Sequence, residues 1–382
     1  MDARHMDTRT LHQVLSHIAA TAALAPSSHN CQPWAVQCLA RTAFEALSPP
    51  ADETAGDWTH ALVVGIDRRR ALSALPALAR EMHLSVGGFA SLLLNLLRLS
   101  GFGVQTQWLP EGWRDGTPHE PVLALLLTLP GTATTGSHPL WQWIAQRHTA
   151  RGPYLRGPLR PPDEQCLPHR LADGDAALHW RYVHQGDALD ALGGFYRRHA
   201  AQDFRHGAAW HETYRHLDFS ARARNASGTG MNIQSLLGPL PAWQRRLHQL
   251  AWHPLAMRLA GPLGLHRRVG REVESLVRSS PAIAYLCADR HAPDARRLHL
   301  LAGERITELW LGATREGQSM HPLSVALQHP QIEQALRALL GCEHPVLFIA
   351  RLGTPATRSV PAYRYRRAPE AFCAFEPHPA DS

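Results

Sequence analysis

Three stretches of this 382-residue chain carry side chains whose types and spacing could do chemistry. Residues 25–36 read Ala-Pro-Ser-Ser-His-Asn-Cys-Gln-Pro-Trp-Ala-Val, so Ser27, Ser28, Asn30 and Gln32 stand between Pro26 and Pro33. Two prolines this close exclude a helix interior. A stiff loop of hydroxyls and amides presents donors and acceptors at fixed positions, which suits a planar, hydrogen-bonding ligand. A proline-capped turn needs only the Pro-Ser-Ser; the whole string is longer than a turn requires. Residues 147–151, Arg-His-Thr-Ala-Arg, set Arg147 and Arg151 four positions apart around His148 and Thr149. Two guanidiniums on one turn can face a single anion, and arginine binds phosphate bidentately. Alone, such a pentapeptide is more often a solvated helix end. The third stretch, Arg364-Tyr365-Arg366-Arg367, reads by itself as a charged tail.

Composition narrows the chemistry. All 39 basic residues are arginine, which removes Walker, Schiff-base and pyridoxal-phosphate lysines together. Any phosphate must be held by arginine, helix N-termini or backbone amides. The net charge of +7 and pI near 9.4 arise from arginines interspersed with acids, so a nucleic-acid partner is not expected. Six scattered cysteines without a C-x-x-C pair argue against zinc or a disulfide framework and fit reduced thiols in a cytoplasm. No signal-peptide order opens the chain. The long apolar run Val86–Phe102 is short for a span and is broken by Asn95 and Arg98, which predicts a core helix and no membrane partner. His206, His211 and His216 recur at a spacing of five, which does not align them on one helix face, so no metal is expected there.

The elements that must position these residues alternate along the chain. After a leader over 1–10, a helix is predicted over Thr10–Leu24, strands over Trp34–Leu39 and Ala61–Ile66, and helices over Arg70–Leu84 and Gly87–Ser100. Gly87 and Gly88 read as the opening of the second of these helices. A buried strand follows at Pro121–Leu129, then a linker-like stretch at 131–140 and a helix over Pro139–Arg147. Further on come a strand at Ala177–His184, a helix over Gly186–Phe204, and a stretch at 205–270 rich in arginine, histidine and tryptophan. The chain continues with a strand at Ala282–Ala288, a helix over Leu300–Leu311 ending near Gly317, a helix over Pro330–Leu340, a strand at Pro345–Leu352 and an arginine-rich tail over Pro355–Arg367. Strand, helix and strand at 61–66, 87–100 and 121–129 echo those at 282–288, 302–315 and 345–352, which predicts a duplicated α+β unit.

The loop at 25–36 resembles the Pro-Ser-Ser-x-Asn-x-Gln-Pro-Trp signature of the FMN-dependent nitroreductase family, and Arg147–Arg151 resembles its Arg-x-Ser-x-Arg motif with threonine in place of serine. In ordinary members two identical subunits build each flavin site from one motif apiece. Here the first motif lies in the first half and the second in the other, while Asn225–Gly230 is at best a degenerate relic of a second loop. The chain therefore looks like the fused, internally duplicated (Acg-like) branch. The resemblance implies an α+β nitroreductase-like fold of two units, mainly antiparallel sheet with buried central helices, divided as 1–135 and 136–382, with 200–270 as a possible lid over the flavin. It implies a single FMN per chain, contacted by Pro26, Ser27, Ser28, Asn30, Gln32, Arg147, His148, Thr149, Arg151, Arg366 and Arg367. Arg147 and Thr149 would hold the phosphate, Arg151 the N1–O2 edge, and the basic segment would complete the phosphate grip. The implied activity is hydride or electron-pair transfer from NAD(P)H to a small organic acceptor, with no side chain named as a catalytic acid or base. The alternative is a non-catalytic flavin-sequestering protein. Either a monomer or a dimer of duplicated chains would serve.

Overall fold

A computed structural model of the chain describes residues 7–47, 56–114, 116–130, 132–172, 178–184, 186–220, 228–260, 264–288, 294–357 and 364–375. In the first half, α1 (Thr8–Ala22) leads through a 3₁₀ turn at Ser28–Asn30 into β1 (Trp34–Ala40), α2 (Arg41–Leu47), β2 (His60–Ile66), α3 (Ala77–Leu99), β3 (Gly103–Trp108) and β4 (Glu120–Thr128). The Asp7 Oδ1 accepts from the Thr10 N–H at 2.9 Å and caps α1. The helix thus starts inside the expected leader, whose residues 1–6 lie outside the described residues.

The second half opens with α4 (Pro139–Gln146), β5 (Leu178–Val183), α5 (Asp187–His199), α6 (Gln202–Arg205) and α7 (Gly207–Arg215). Next come β6 (Leu217–Asp218), β7 (Met231–Asn232), α8 (Ile233–Leu237), α9 (Ala242–Ala251), α10 (Pro254–Ala260) and α11 (Leu265–Arg278). The half closes with β8 (Ala282–Ala288), α12 (Ala295–Arg315), β9 (Ser319–Pro322), α13 (Val325–Gln328), α14 (Pro330–Leu340), β10 (Val346–Gly353) and β11 (Cys373–Phe375).

The strands form two main sheets. One has the order β11-β1-β2-β4-β3 and the other β5-β8-β10-β9. Leaving β11 aside, the two orders superpose as β1, β2, β4, β3 on β5, β8, β10, β9, and every one of these pairings is antiparallel. Strands β2, β4 and β8 are apolar almost throughout because helices or loops cover both faces. On one face of the first sheet α1 and α3 bury Leu15, Ile18, Phe89 and Leu93. On its other face Phe44 of α2 meets Trp58 edge-on. Helix α12 covers the second sheet with Ile306, Leu309 and Trp310, and the opposite face packs on α5, α13 and α14.

The two central helices, α3 and α12, cross at glycines. A Cβ on Gly87 would stand 1.9 Å from the Leu300 carbonyl oxygen, and one on Gly303 would stand 2.0 Å from the Leu84 carbonyl oxygen. The pairs 84 and 300, and 87 and 303, are each 216 positions apart, as are the positive-φ glycines 101 and 317 that end the two helices. The crossing is therefore reciprocal.

This geometry corrects the sequence reading. The two helices expected over 70–84 and 87–100 are one helix, and Gly87 and Gly88 sit in its middle, kept for close approach and not for an opening. Helix α3 is long and apolar enough to cross a membrane by composition, yet its apolar window is mostly buried inside the fold. Asn95, which interrupts that window, bonds to Ser91 O and to both backbone groups of His169.

Three strands of the two main sheets went unread, as did the two-residue pair β6 and β7. Strands β3 and β9 are short edge strands that follow the two αL glycines. The third, β11, matters most for the site. After residues 358–363, which lie outside the described residues, the expected tail returns to the first sheet. There β11 pairs in parallel with β1, Val36 opposite Cys373. A strand from beyond β10 therefore joins the sheet built from the first part of the chain.

Candidate functional site

The loop after α1 owes its shape to three non-glycine residues in the left-handed region, His29 (φ 48°), Asn30 (φ 52°) and Gln32 (φ 50°). Such backbone costs on the order of 1 kcal/mol or more per residue and persists only when surrounding bonds over-determine it. The bonds come from two remote segments. The Asn30 amide donates to Gly230 O at 3.0 Å and to Tyr365 O at 3.1 Å, and Gly230 N–H donates back to Asn30 O. The Gln32 amide donates to Gly228 O at 2.7 Å, and its oxygen accepts from Arg367 N–H at 3.0 Å. Gly228 and Gly230 have positive φ, and a side chain at either would meet backbone oxygens at 2.5 Å. Residues 225–227 of the expected relic lie outside the described residues.

A cavity of about 290 Å³ opens where this loop faces α12 and the segment after α4. Pro26, Ser27, Ser28 and Asn30 of the loop line it together with Arg147, His148, Thr149 and Arg151 of the segment after α4, and Arg366 completes the lining. The structure therefore brings together all but two of the residues singled out in the sequence. Gln32 and Arg367 stand behind the wall. The Arg367 guanidinium donates to Gln32 O and Trp34 O, each at 3.0 Å, and Gln32 is fully buried, so both brace the loop and do not face the cavity.

The two arginines of the 147–151 segment occupy different environments. Arg147 is 4% exposed, with its guanidinium 4.7 Å above the Trp310 ring and one Nη donating to Leu24 O at 3.0 Å. Arg364 donates to the Arg147 and Ala145 carbonyls. Arg366 donates to Asn30 Oδ1 at 3.0 Å. Among the described residues no carboxylate pairs with Arg147, Arg151, Arg364 or Arg366. Burial, then the charges of Arg366 and Arg364, pulls the Arg147 pKa well down. Burial and Arg364 bring Arg366 to about 10. The Nε atoms of Arg147 and Arg366 are buried without a hydrogen-bond partner. Such a cluster of cations suits an anion. Arg151 lies against Met231 Sδ at 3.4 Å, with burial lowering its pKa to about 10.

The backbone of the 147–151 segment is tied down from α12 and β9. Trp310 Nε1 and Ser319 Oγ both donate to His148 O, at 3.2 and 2.9 Å. Arg351, fully buried over the Tyr154 ring, donates to Arg151 O and Gly152 O.

Residues absent from the sequence reading complete the walls. Glu81 of α3 accepts from Ser28 Oγ and from Gln328 Nε2 at 2.8 Å, and burial raises its carboxyl pKa against those bonds. Ser85, Thr307, Trp310 and His321 also line the cavity, beside Arg364 and Tyr365 of the expected basic segment, and the Thr307 hydroxyl and His29 Nδ1 are buried without partners. Nothing local marks Glu81: it faces Ser28 only because α3 passes beneath the loop. The 200–270 stretch supplies Met231 and Ser235 to the wall. His206 Nδ1 accepts from Ala209 N–H and caps α7, while His216 lies 6.0 Å from the His29 ring. No cluster of three or more possible metal ligands occurs among the described residues.

His29 makes the site acid-sensitive. Burial, then the charges of His216 and Arg151, lowers its pKa from 6.5 to about 4. Between those values the unfolded chain binds the proton and the folded chain does not. The stability due to neutral His29 is thus complete above pH 6.5 and is lost as pH falls towards 4, by on the order of 3 kcal/mol. Thermal unfolding of wild type and His29→Asn across pH 7 to 4.5 checks this, since asparagine tolerates positive φ and does not titrate. The variant is expected to show the shallower decline; parallel profiles would contradict the assignment.

No protein-family model matches the chain. Among curated proteins, it is 31% identical over 357 residues to the probable NAD(P)H nitroreductase PigM of a Serratia species, covering 93% of this chain and 92% of that protein. Among solved structures, a putative nitroreductase from Anabaena variabilis aligns over 92% of this chain and 90% of its own, with a TM-score of 0.47 and 13% identity. The FMN-dependent nitroreductase NfnB from Mycobacterium smegmatis, in complex with NADPH, aligns over 56% of this chain and 86% of its own, with a TM-score of 0.30 and 18% identity.

Proposed function

This chain belongs to the nitroreductase family, and from that premise we propose that it is an FMN-binding oxidoreductase that moves electron pairs from NAD(P)H to a small organic acceptor. The observation that supports this most directly is the convergence of the 26–30 loop, the 147–151 segment and the 364–366 segment on one cavity, where Arg147, Arg151, Arg364 and Arg366 pair with no carboxylate among the described residues. FMN, when bound, supplies reversible hydride and electron-pair chemistry.

The chain's own residues fit such a guest. Arg147, Arg364 and Arg366 form the cationic pole suited to a phosphate, and the unpartnered Nε atoms of Arg147 and Arg366 offer further donors. Arg151 would hold an electron-rich ring edge and favour negative charge there. Ser27, Ser28 and Thr149 offer hydroxyls to polar edges, Asn30 holds the loop and Arg366 in place, and Met231, Ile306 and Leu347 exclude water. Glu81, whose carboxyl pKa is raised by burial, accepts a hydrogen bond from Ser28 Oγ and fixes that hydroxyl in the wall. Since one chain provides both motifs, we further propose that it carries one FMN site built between duplicated halves, 1–135 and 136–382, as in the fused branch, with part of 200–270 covering it.

An absorbance spectrum of the purified protein, with chromatographic identification of the chromophore released on denaturation, tests this reading. FMN at close to one per chain, bleached by NADH or NADPH without oxygen and recoloured by a nitroaromatic acceptor, is expected. A colourless protein that takes up no FMN would overturn it. Bound FMN that no reductant bleaches would favour the sequestering alternative.

A further inference from the structure

Nine large apolar side chains stand exposed among the described residues, and six of them fall within 237–259: Leu237, Trp243, Leu247, Leu250, Leu255 and Leu259. Trp243, Leu247 and Leu250 follow one another by four and three positions along α9, and Leu255 and Leu259 by four along α10. Each helix therefore turns one apolar stripe to solvent. These are not the edges of a core: Leu250 is 70% exposed and Leu259 77%. The opposite sides of the helix pair are anchored, with Trp210 Nε1 donating to Trp252 O at 2.8 Å, Tyr214 to Gln249 O at 3.0 Å, and Met257 buried. Each stripe carries an exposed arginine three positions after its first apolar residue, Arg246 in α9 and Arg258 in α10. In sequence, residues 219–271 contain eight arginines and no aspartate or glutamate.

Charge and apolarity together select the occupant. A second copy of the face would set arginine against arginine with no carboxylate between. Nucleic acid would satisfy the charges and leave the leucines in water. A bilayer with anionic headgroups meets both, since its phosphates face the arginines and its acyl boundary accepts leucine and tryptophan without shaped pockets. We propose that the α9–α10 face docks on the surface of an anionic phospholipid bilayer, with Trp243, Leu247, Leu250, Leu255 and Leu259 entering the headgroup–acyl boundary and Arg246 and Arg258 on lipid phosphates. The face adjoins the functional cavity through α8, which exposes Leu237 and sends Ser235 into the cavity wall. It is independent of FMN, and it reverses the expectation of no membrane partner.

Co-sedimentation of the full chain tests it, with vesicles of phosphatidylcholine alone and of equal parts phosphatidylcholine and phosphatidylglycerol. Binding to the mixed vesicles only, weakened by added salt, is expected. Arg246→Gln with Arg258→Gln should lower the partition about fivefold per arginine. Leu247→Gln with Leu250→Gln and Leu259→Gln should abolish it. All five positions are exposed, so the unfolding temperature and FMN content should not move, and the arginine pair remains informative should the leucine variant fold poorly. No binding, equal binding to both vesicles, or binding untouched by the substitutions would overturn the proposal. So would a dimer in solution that the leucine variant dissociates, which would make the face a self-association surface.

Discussion

Gly303→Ala is expected to destabilise the protein by about 3–5 kcal/mol in urea unfolding, well above an ordinary surface change. The added carbon would lie 2.0 Å from Leu84 O and 2.9 Å from Gly88 N, both backbone atoms that no rotamer can move aside. The helices would have to part, and Gly87 on the facing helix meets Leu300 O in the same way at 1.9 Å. The damage would reach the site, because Gly303, Ile306, Thr307 and Trp310 line the cavity from α12 while Glu81, Leu84 and Ser85 line it from α3. FMN content should therefore fall along with stability. Gly207→Ala, at the start of α7 with open space around it, is the control and should stay within about 0.5 kcal/mol of wild type. Equal effects at the two positions would show that the crossing does not require glycine.

Arg147→Met is expected to separate ligand binding from folding. Methionine keeps much of the packing over Trp310 and removes a buried cation that has no carboxylate partner among the described residues. FMN affinity should fall at least about 30-fold, as expected for losing charge-assisted bonds to a phosphate. The ligand-free protein should be as stable as wild type or more stable by about 1 kcal/mol, because an unpaired buried charge opposes folding. Titration of FMN by fluorescence quenching, beside thermal unfolding of the stripped proteins, checks both parts. Retained FMN affinity would remove Arg147 from the phosphate grip.

The chemistry was more legible in the sequence than the architecture around it. Ser27, Ser28, Asn30, Arg147, Thr149 and Arg151 stand out because proline boundaries and paired arginines are local signals, and the structure places all of them on one cavity. The strands β2, β4, β8 and β10 were equally plain, since buried strands read as unbroken apolar runs. The left-handed turn at His29, Asn30 and Gln32 had no such signal. None of the three is glycine, and the shape is imposed by bonds to Gly228, Gly230 and Tyr365, up to 335 positions away. Arg366 and Arg367 looked alike in the sequence. Only the pairing of β11 on β1 sends Arg366 into the cavity and turns Arg367 back to Gln32 and Trp34. Gly87 and Gly88 were misread as a helix start because a glycine kept for helix crossing and one kept for termination are the same letter.

The sequence by itself determined the residue types available for chemistry, the absence of lysine, the local loop and helix periods and the echo between the halves, which follow from composition and from patterns within each short stretch. Tertiary structure alone decided that α3 and α12 cross at Gly87 and Gly303, that Glu81 meets Ser28, that the C-terminal arginines return to the first sheet, and that α9 and α10 are left with their apolar faces in solvent. Those outcomes depend on which surfaces a folded backbone brings within contact, and distance along the chain carries no information about that.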